Sequence, residues 1–342
     1  MKNIVILVLI VLVVGGYFYN RDNGLDVTPE SVEISTIPET AKGPEIPQDK
    51  GYLVEEINDG LYWLTDGTYQ MMFLVTSFGV IVVDAPPSIG ENILVAIAEV
   101  TDNPITHVIY SHHHADHIAA ANLYPANAVY LAHNDTATMI NRSQNDGREF
   151  PFGTFVGGGD VPKPNVTFNT NYVLISGGQR VNLTYLGTNH SPGNILIYAP
   201  QQKVAMIVDV IFPGWVPFMD LAVSDDVNGY LAAHDQILAF DFDTLIAGHL
   251  TRLGTKEDVE LQKEYLSDIK ANATTALQEV DLMAVAEETG FENQWALFGT
   301  YLDEVNQQCA DLTLGKWATR LGGAPEFTKS QCARIAESLR IN

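Results

Sequence analysis

Three histidines in a row, followed by Ala115, Asp116 and His117, close the segment ITHVIYSHHHADH (105–117). The β-branched run ITHVIY (105–110) predicts a strand, and the Ala-rich part of SHHHADHIAAANLY (111–124) predicts a helix. His112 and His114, two apart at a strand end, can point into one pocket, and the turn into the helix brings Asp116 and His117 beside them. Imidazole and carboxylate donors together suit a borderline cation such as zinc, and mixed nitrogen and oxygen sets are typical of catalytic rather than structural zinc. The plain alternative is a chance histidine cluster on a solvated loop.

The pattern H-x-H-x-D-H after a strand resembles the signature of the metallo-β-lactamase superfamily, and the resemblance extends over roughly Gly51 to Leu253. It implies an α+β fold: an αβ/βα four-layer sandwich with metals at one edge between the sheets. It also implies the remaining ligands, namely His190 in GTNHSPGN, Asp209 ending KVAMIVD, and His249 in LIAGHL. By this resemblance His112, His114 and His190 hold one ion, Asp116, His117 and His249 hold the other, and Asp209 lies between them. The implied cofactor is two Zn2+, with manganese or iron as alternatives; His114 stands where oxygen-reducing diiron members carry Glu. A water shared by two ions is acidified toward neutrality and becomes a hydroxide nucleophile, so no Ser or Cys is required. Asp116 would both bind metal and orient that hydroxide.

The expected function is a zinc-dependent hydrolase that cleaves a carbonyl ester, lactone or related amide bond of a small molecule. The alternatives are a β-lactamase or a glyoxalase II-like thioesterase and, more remotely, a non-catalytic metal-binding module. Asn194 resembles an Asn of the family's lactamases, but Asp209 stands where one lactamase subclass has Cys, and Val210, Ile211 and Phe212 follow it with no Lys. Aromatic residues are candidate walls of an apolar substrate pocket: Phe152 and Phe155 in FPFGTFVGGGD, Trp215 and Phe218 in PGWVPFMD. Ordinary loop packing is the alternative for them. Arg252, three residues after His249, is the candidate partner of a substrate carboxylate, or else a salt-bridge partner of one of the many acidic residues. His107, His113, His133 and His234 read as structural.

The elements that must position these groups alternate between strands and helices. LYWLT (61–65), MMFLVTS (71–77), GVIVVDAP (79–86), RVNLTYLG (180–187), NILIYAP (194–200), KVAMIVD (203–209) and DTLIAG (243–248) read as strands, and ENILVAIAEV (91–100) and VNGYLAAHDQILAF (227–240) as helices. The catalytic domain is therefore placed at 51–255. From 256 to 342 strand signals stop, and a helical C-terminal extension is expected, beginning with KEDVELQKEYLSDIKANATTALQEV (256–280) after Thr255.

An apolar run from Ile4 through Val14, preceded by Lys2, marks residues 1–19 as a signal anchor or signal peptide, and the Pro- and Glu-rich stretch 20–50 reads as an extended linker. The expected location is extracytoplasmic, anchored to a membrane through the N-terminal segment at the periplasm or cell surface, or secreted if the signal is cleaved. Cys309 and Cys332 are the only cysteines, lack metal spacing, and outside the cytoplasm are expected to pair. Forty-two acidic against 18 basic residues give a net charge of −24, which repels nucleic acid.

Overall fold

The computed structural model describes residues 36–145 and 161–341. The N-terminal segment 1–19, the first part of the linker and the Gly-rich loop with Phe152 and Phe155 lie outside them. Among the described residues no helix is long and apolar enough to cross a membrane.

Two sheets form the centre. The first has seven strands in sequential order: β1 (Leu53–Asn58), β2 (Leu61–Thr65), β3 (Gln70–Thr76), β4 (Gly79–Val83), β5 (Ile105–Ile109), β6 (Val129–His133) and β7 (Val166–Phe168). Pairing is antiparallel up to β4 and parallel from β4 to β7. Parallel neighbours need a crossover. These are supplied by α1 (Asn92–Val100), by the short α2 (Ala115–Ile118) and by α3 (Asn134–Asn145). The second sheet runs β12–β11–β10–β9–β8, from β8 (Asn171–Ser176), β9 (Gln179–Tyr185), β10 (Ile195–Ala199), β11 (Val204–Met206) and β12 (Thr244–Ile246). Its one parallel pair, β11 with β12, is bridged by α4 (Val227–Leu238).

Alternation explains the layering. Trp63, Ile81, Ile109 and Leu131 of the first sheet face Leu183, Ile197, Met206 and Ile246 of the second in one buried cluster. The opposite face of the first sheet, with Phe73, Val80 and Val82, packs on Ile93 and Ile97 of α1. The opposite face of the second sheet, with Leu196, Ala205 and Leu245, packs on Tyr230 and Ile237 of α4. Helix, sheet, sheet and helix make the expected four-layer αβ/βα sandwich.

The C-terminal helices are α5 (Lys256–Glu279), α6 (Leu282–Thr289), α7 (Gln294–Trp317) and α8 (Ala324–Ile341). Helices α5, α7 and α8 share their core with α4: Tyr265, Ile269, Trp317, Cys332 and Ile335 belong to the same buried cluster as Tyr230 and Leu245, while Val285 and Ala286 of α6 pack on Leu297 of α7. The extension therefore thickens the outer helical layer. Cys309 of α7 and Cys332 of α8 form a disulfide.

The linker expectation for 20–50 needs correcting at its C-terminal end, because the compact unit begins at Ile37. Ala41 is fully buried, its carbonyl accepts from Trp215 Nε1 at 2.9 Å and from the Thr251 hydroxyl, and Thr40 O accepts from Arg252 Nε at 2.7 Å. Backbone carbonyls make the attachment, so side-chain composition gave no hint of it.

Candidate metal centre

The ends of five segments converge at one edge of the sandwich. His112 and His114 follow β5, Asp116 and His117 lie in α2, His190 lies between β9 and β10, Asp209 lies three residues past β11, and His249 lies three past β12. KVAMIVD thus stops being strand before its carboxylate: Asp209 has φ +62°, a left-handed conformation that costs a non-glycine residue of order 1 kcal/mol and marks an imposed geometry.

His112, His114, His190 and Asp209 form one group of converging donor atoms, and Asp116, His117 and His249 form a second. Asp209 touches both. Its Oδ2 lies 3.3 Å from His112 Nε2, 3.2 Å from His190 Nε2 and 3.3 Å from His117 Nε2, and its Oδ1 lies 3.0 Å from His249 Nε2. His190 Nε2 faces His114 Nδ1 at 2.9 Å, and His117 Nε2 faces His249 Nε2 at 3.0 Å. Asp116 Oδ2 lies 3.6 Å from His117 Nε2 and 3.7 Å from His249 Nε2. Donors around a tetrahedral zinc at about 2.0–2.1 Å sit roughly 3.3 Å apart. The observed spacings bracket that edge length. The buried Nε2 of His112 has no hydrogen-bond partner, which is unfavourable in a protein interior unless a cation takes the lone pair. The donor set fits a divalent metal.

In the first donor group electrostatics point the same way. Burial drives His112 well below the usual histidine range, takes His190 down to about 4, and lowers His114. Each shift favours the neutral imidazole that ligation requires. Burial opposes charge on His117 too, but Asp209, Asp116 and Asp84 outweigh it and push this imidazole up to about 9. Asp209, despite complete burial, is held well below the carboxylate range by His117, His249 and His190.

Several supporting groups carried no signal in the sequence. Tyr69 donates its hydroxyl to Asp116 Oδ2 at 3.3 Å, packs 4.6 Å from the His249 ring, and pairs its backbone with His249. Gln70 Nε2 faces the carbonyls of His249, Leu250 and Arg252 at 3.1, 2.7 and 3.1 Å. Ser111 Oγ lies 2.9 Å from His112 Nδ1, which aims Nε2 at the pocket, and Ser111 N donates to the buried Asp84 at 2.7 Å. Burial raises Asp84 to about 6 against the opposing charge of His117.

The substrate-contact expectations fare differently. Arg252 is a correction: both terminal nitrogens pair with Asp258, at 2.9 and 2.6 Å, and Nε is taken by Thr40. It ties the start of α5 to the docked N-terminal segment. Asn194 is likewise corrected, since it is fully buried and its amide donates to Asn189 Oδ1 at 3.1 Å and Val208 O at 2.9 Å, bracing the segments that carry His190 and Asp209. Trp215 stacks against Gly322 and binds the Ala41 carbonyl, so its ring is structural. Phe218 remains 51% exposed, edge-on to Phe327 at 5.1 Å. The other histidines sit in structural contacts: His133 on Tyr185, His234 between Tyr230 O and Gln262, His107 beside Thr106, and His113 against His114.

A family model described as the metallo-beta-lactamase superfamily matches residues 65–249, more than half of the chain and all seven converging side chains. The chain belongs to the metallo-beta-lactamase superfamily. Among curated proteins it is 24% identical over 253 residues to the 2,4-dinitroanisole O-demethylase subunit alpha of Nocardioides sp. (strain JS1661), covering 72% of this chain and 73% of that protein. Among solved structures it is similar to a metallo-beta-lactamase from Pontibacter korlensis, with TM-score 0.50, 17% identity, and 62% of this chain against 97% of that one. It is also similar to a double mutant of the sec-alkyl sulfatase PisA1, with TM-score 0.57, 16% identity, and 84% of this chain against 50% of that one. At these identities the solved structures speak for the metallo-beta-lactamase fold alone.

Proposed function

We propose that this superfamily member is a zinc hydrolase that holds two ions and cleaves an ester, lactone or related amide bond in a neutral, fairly apolar small molecule. The observation that carries the reading is the placement of Asp209 between two groups of facing imidazoles, each spaced like the ligands of one cation. His112, His114 and His190 would hold one ion, Asp116, His117 and His249 the other. When bound, the metals supply Lewis acidity and lower the pKa of water toward neutrality. The residues supply the rest. Asp116 keeps 32% of its side chain exposed, so it meets incoming water and substrate, and Tyr69 fixes its carboxylate. With Arg252 committed to Asp258, the cation expected for a substrate carboxylate is withdrawn, and the net charge of −24 further disfavours anions.

A second reading has support from the O-demethylase relative: attack of water on an activated aryl methyl ether, releasing methanol and a phenol. It uses the same residues with a ring carbon in place of a carbonyl carbon. We further propose that the enzyme works outside the cytoplasm, attached through residues 1–19, a reading that the disulfide favours.

The test is a screen of purified, zinc-loaded protein on aryl esters, lactones, β-lactams, thioesters and dinitroaryl methyl ethers, each as a matched pair with and without a carboxylate. Turnover of the neutral ester or lactone is expected to lead. Faster turnover of the carboxylate partner overturns the charge preference, ether cleavage alone selects the second reading, and bound metal without turnover leaves a binding module. Fractionation of the native host checks the location; soluble cytoplasmic protein with free thiols overturns it.

A further inference from the structure

Between Pro217 and Asp226 the chain passes His190 in a conformation that L-residues avoid. Asp220, Leu221, Ala222 and Val223 have φ of +57°, +58°, +56° and +54°, four consecutive left-handed residues without a glycine among them. Left-handed α backbone crowds each Cβ against the following carbonyl, so such a run persists only where its surroundings enforce it.

This turn adjoins the metal centre. Just beyond, Asp225 N donates to His190 O at 2.9 Å and Asp226 N to Asn189 O at 3.2 Å. The backbone that carries His190 is thus fastened to the residues that leave the turn.

The enforcement comes from α8. The fully buried amide of Gln331 accepts from Leu221 N and donates to Pro217 O at 2.6 Å and Phe218 O at 3.0 Å. Ser330 Oγ accepts from Asp220 N at 3.0 Å, and Arg334 Nη2 donates to Ser224 O at 2.7 Å. Cys332, next to Gln331, ties α8 to α7.

We infer that Gln331 is a positioning residue for the metal centre: with Ser330 and Arg334 it holds the left-handed turn, the turn seats His190, and metal affinity therefore depends on the C-terminal helix. This rests on the metal reading of His112, His114, His190 and Asp209. The contrasting role is simple packing of α8, which would leave the centre indifferent to Gln331.

Cobalt titration with its visible spectrum separates the two. Parent, Gln331→Ala, Ser330→Ala and each of these two with Val223→Gly are compared, with circular dichroism showing which are folded. Folded Gln331→Ala should bind cobalt about tenfold more weakly with an altered band shape, the size of effect usual for groups that orient a ligand. Val223→Gly should recover most of that loss, because glycine takes positive φ without the clamp and Val223 is exposed. If Gln331→Ala does not fold, Ser330→Ala carries the comparison, with a weaker loss that Val223→Gly again repairs. Parent-like affinity and spectrum in the folded variant, or a loss that Val223→Gly leaves untouched, overturns the inference. A parent that binds no cobalt overturns it together with the metal reading. Cobalt binding without hydrolysis removes only the hydrolase assignment.

Discussion

Single residues at the metal edge divide into those whose spacing announced them and those whose role depends on three-dimensional register. His112, His114, Asp116 and His117 were legible because they are close in sequence, and His190, Asp209 and His249 because they fall in the order the resemblance implies. Tyr69 was not: only the pairing of its backbone with His249 brings it to Asp116. Tyr69→Phe should keep the metal content of the parent and lower kcat about three- to tenfold, the net worth of one ordinary hydrogen bond, as suits its 3.3 Å length; unchanged kcat would show that Asp116 is oriented without it. Arg252 and Asn194 misled for the converse reason, since a polar side chain near a site in sequence can be spent on structure. His234 offers a separate test through pH. Burial lowers it to about 4, with Nδ1 against Tyr230 O and Nε2 against Gln262. The unfolded chain protonates it near pH 6.5, so its contribution is fully present above that pH and is lost as pH falls toward 4. Between pH 7 and 5 the loss is about 2 kcal/mol from this residue. Urea unfolding of His234→Gln should therefore show a decline between these pH values smaller than the parent's by about that amount; equal declines would mean that His234 does not titrate in this window.

At the scale of elements, the strands with β-branched or aromatic runs were readable, and β2, β3, β4, β5, β9, β10 and β12 lie where composition placed them. Strands β1, β7 and β8 were not, because LVEEIN, VTF and NYVLIS are short or polar on one face and owe their conformation to neighbours, and β6, the five-residue VYLAH between two Ala- and Asn-rich stretches, was missed as well. KVAMIVD was read three residues too long, and those residues leave the strand to let Asp209 adopt its left-handed conformation. Gly248 shows how tightly the ends of β11 and β12 are fitted. It has φ +85°, and a Cβ there would lie 2.6 Å from Val208 Cγ1, between the segments carrying Asp209 and His249. Gly248→Ala should destabilise the fold by roughly 1–3 kcal/mol and weaken metal binding, measured by urea denaturation and metal titration. A variant with parent-like values in both would show that the two strand ends move independently of the centre.

For the molecule as a whole, the acidic excess of −24 acts on folding and on substrate choice through the same field. Self-repulsion falls as salt screens it, so Tm should rise between low ionic strength and about 0.5 M salt, and the rate advantage of a neutral over a carboxylate-bearing substrate should narrow across the same range. A falling Tm with an unchanged substrate ratio would mean that local ion pairs such as Arg252 with Asp258 dominate over net charge. The helical extension, foreseen in sequence as an appended region, proves continuous with the outer layer, since amphipathic helices cannot reveal from their own pattern which surface they cover. The bonds from Gln331 to the turn beside His190 span 110 or more residues. That separation has a temporal meaning: as the chain emerges during synthesis, all seven candidate ligands are available long before the helix that steadies one of them. A polypeptide halted just past His249 would present every candidate ligand yet lack the clamp on the turn beside His190, so on this inference the centre is completed only when α8 arrives.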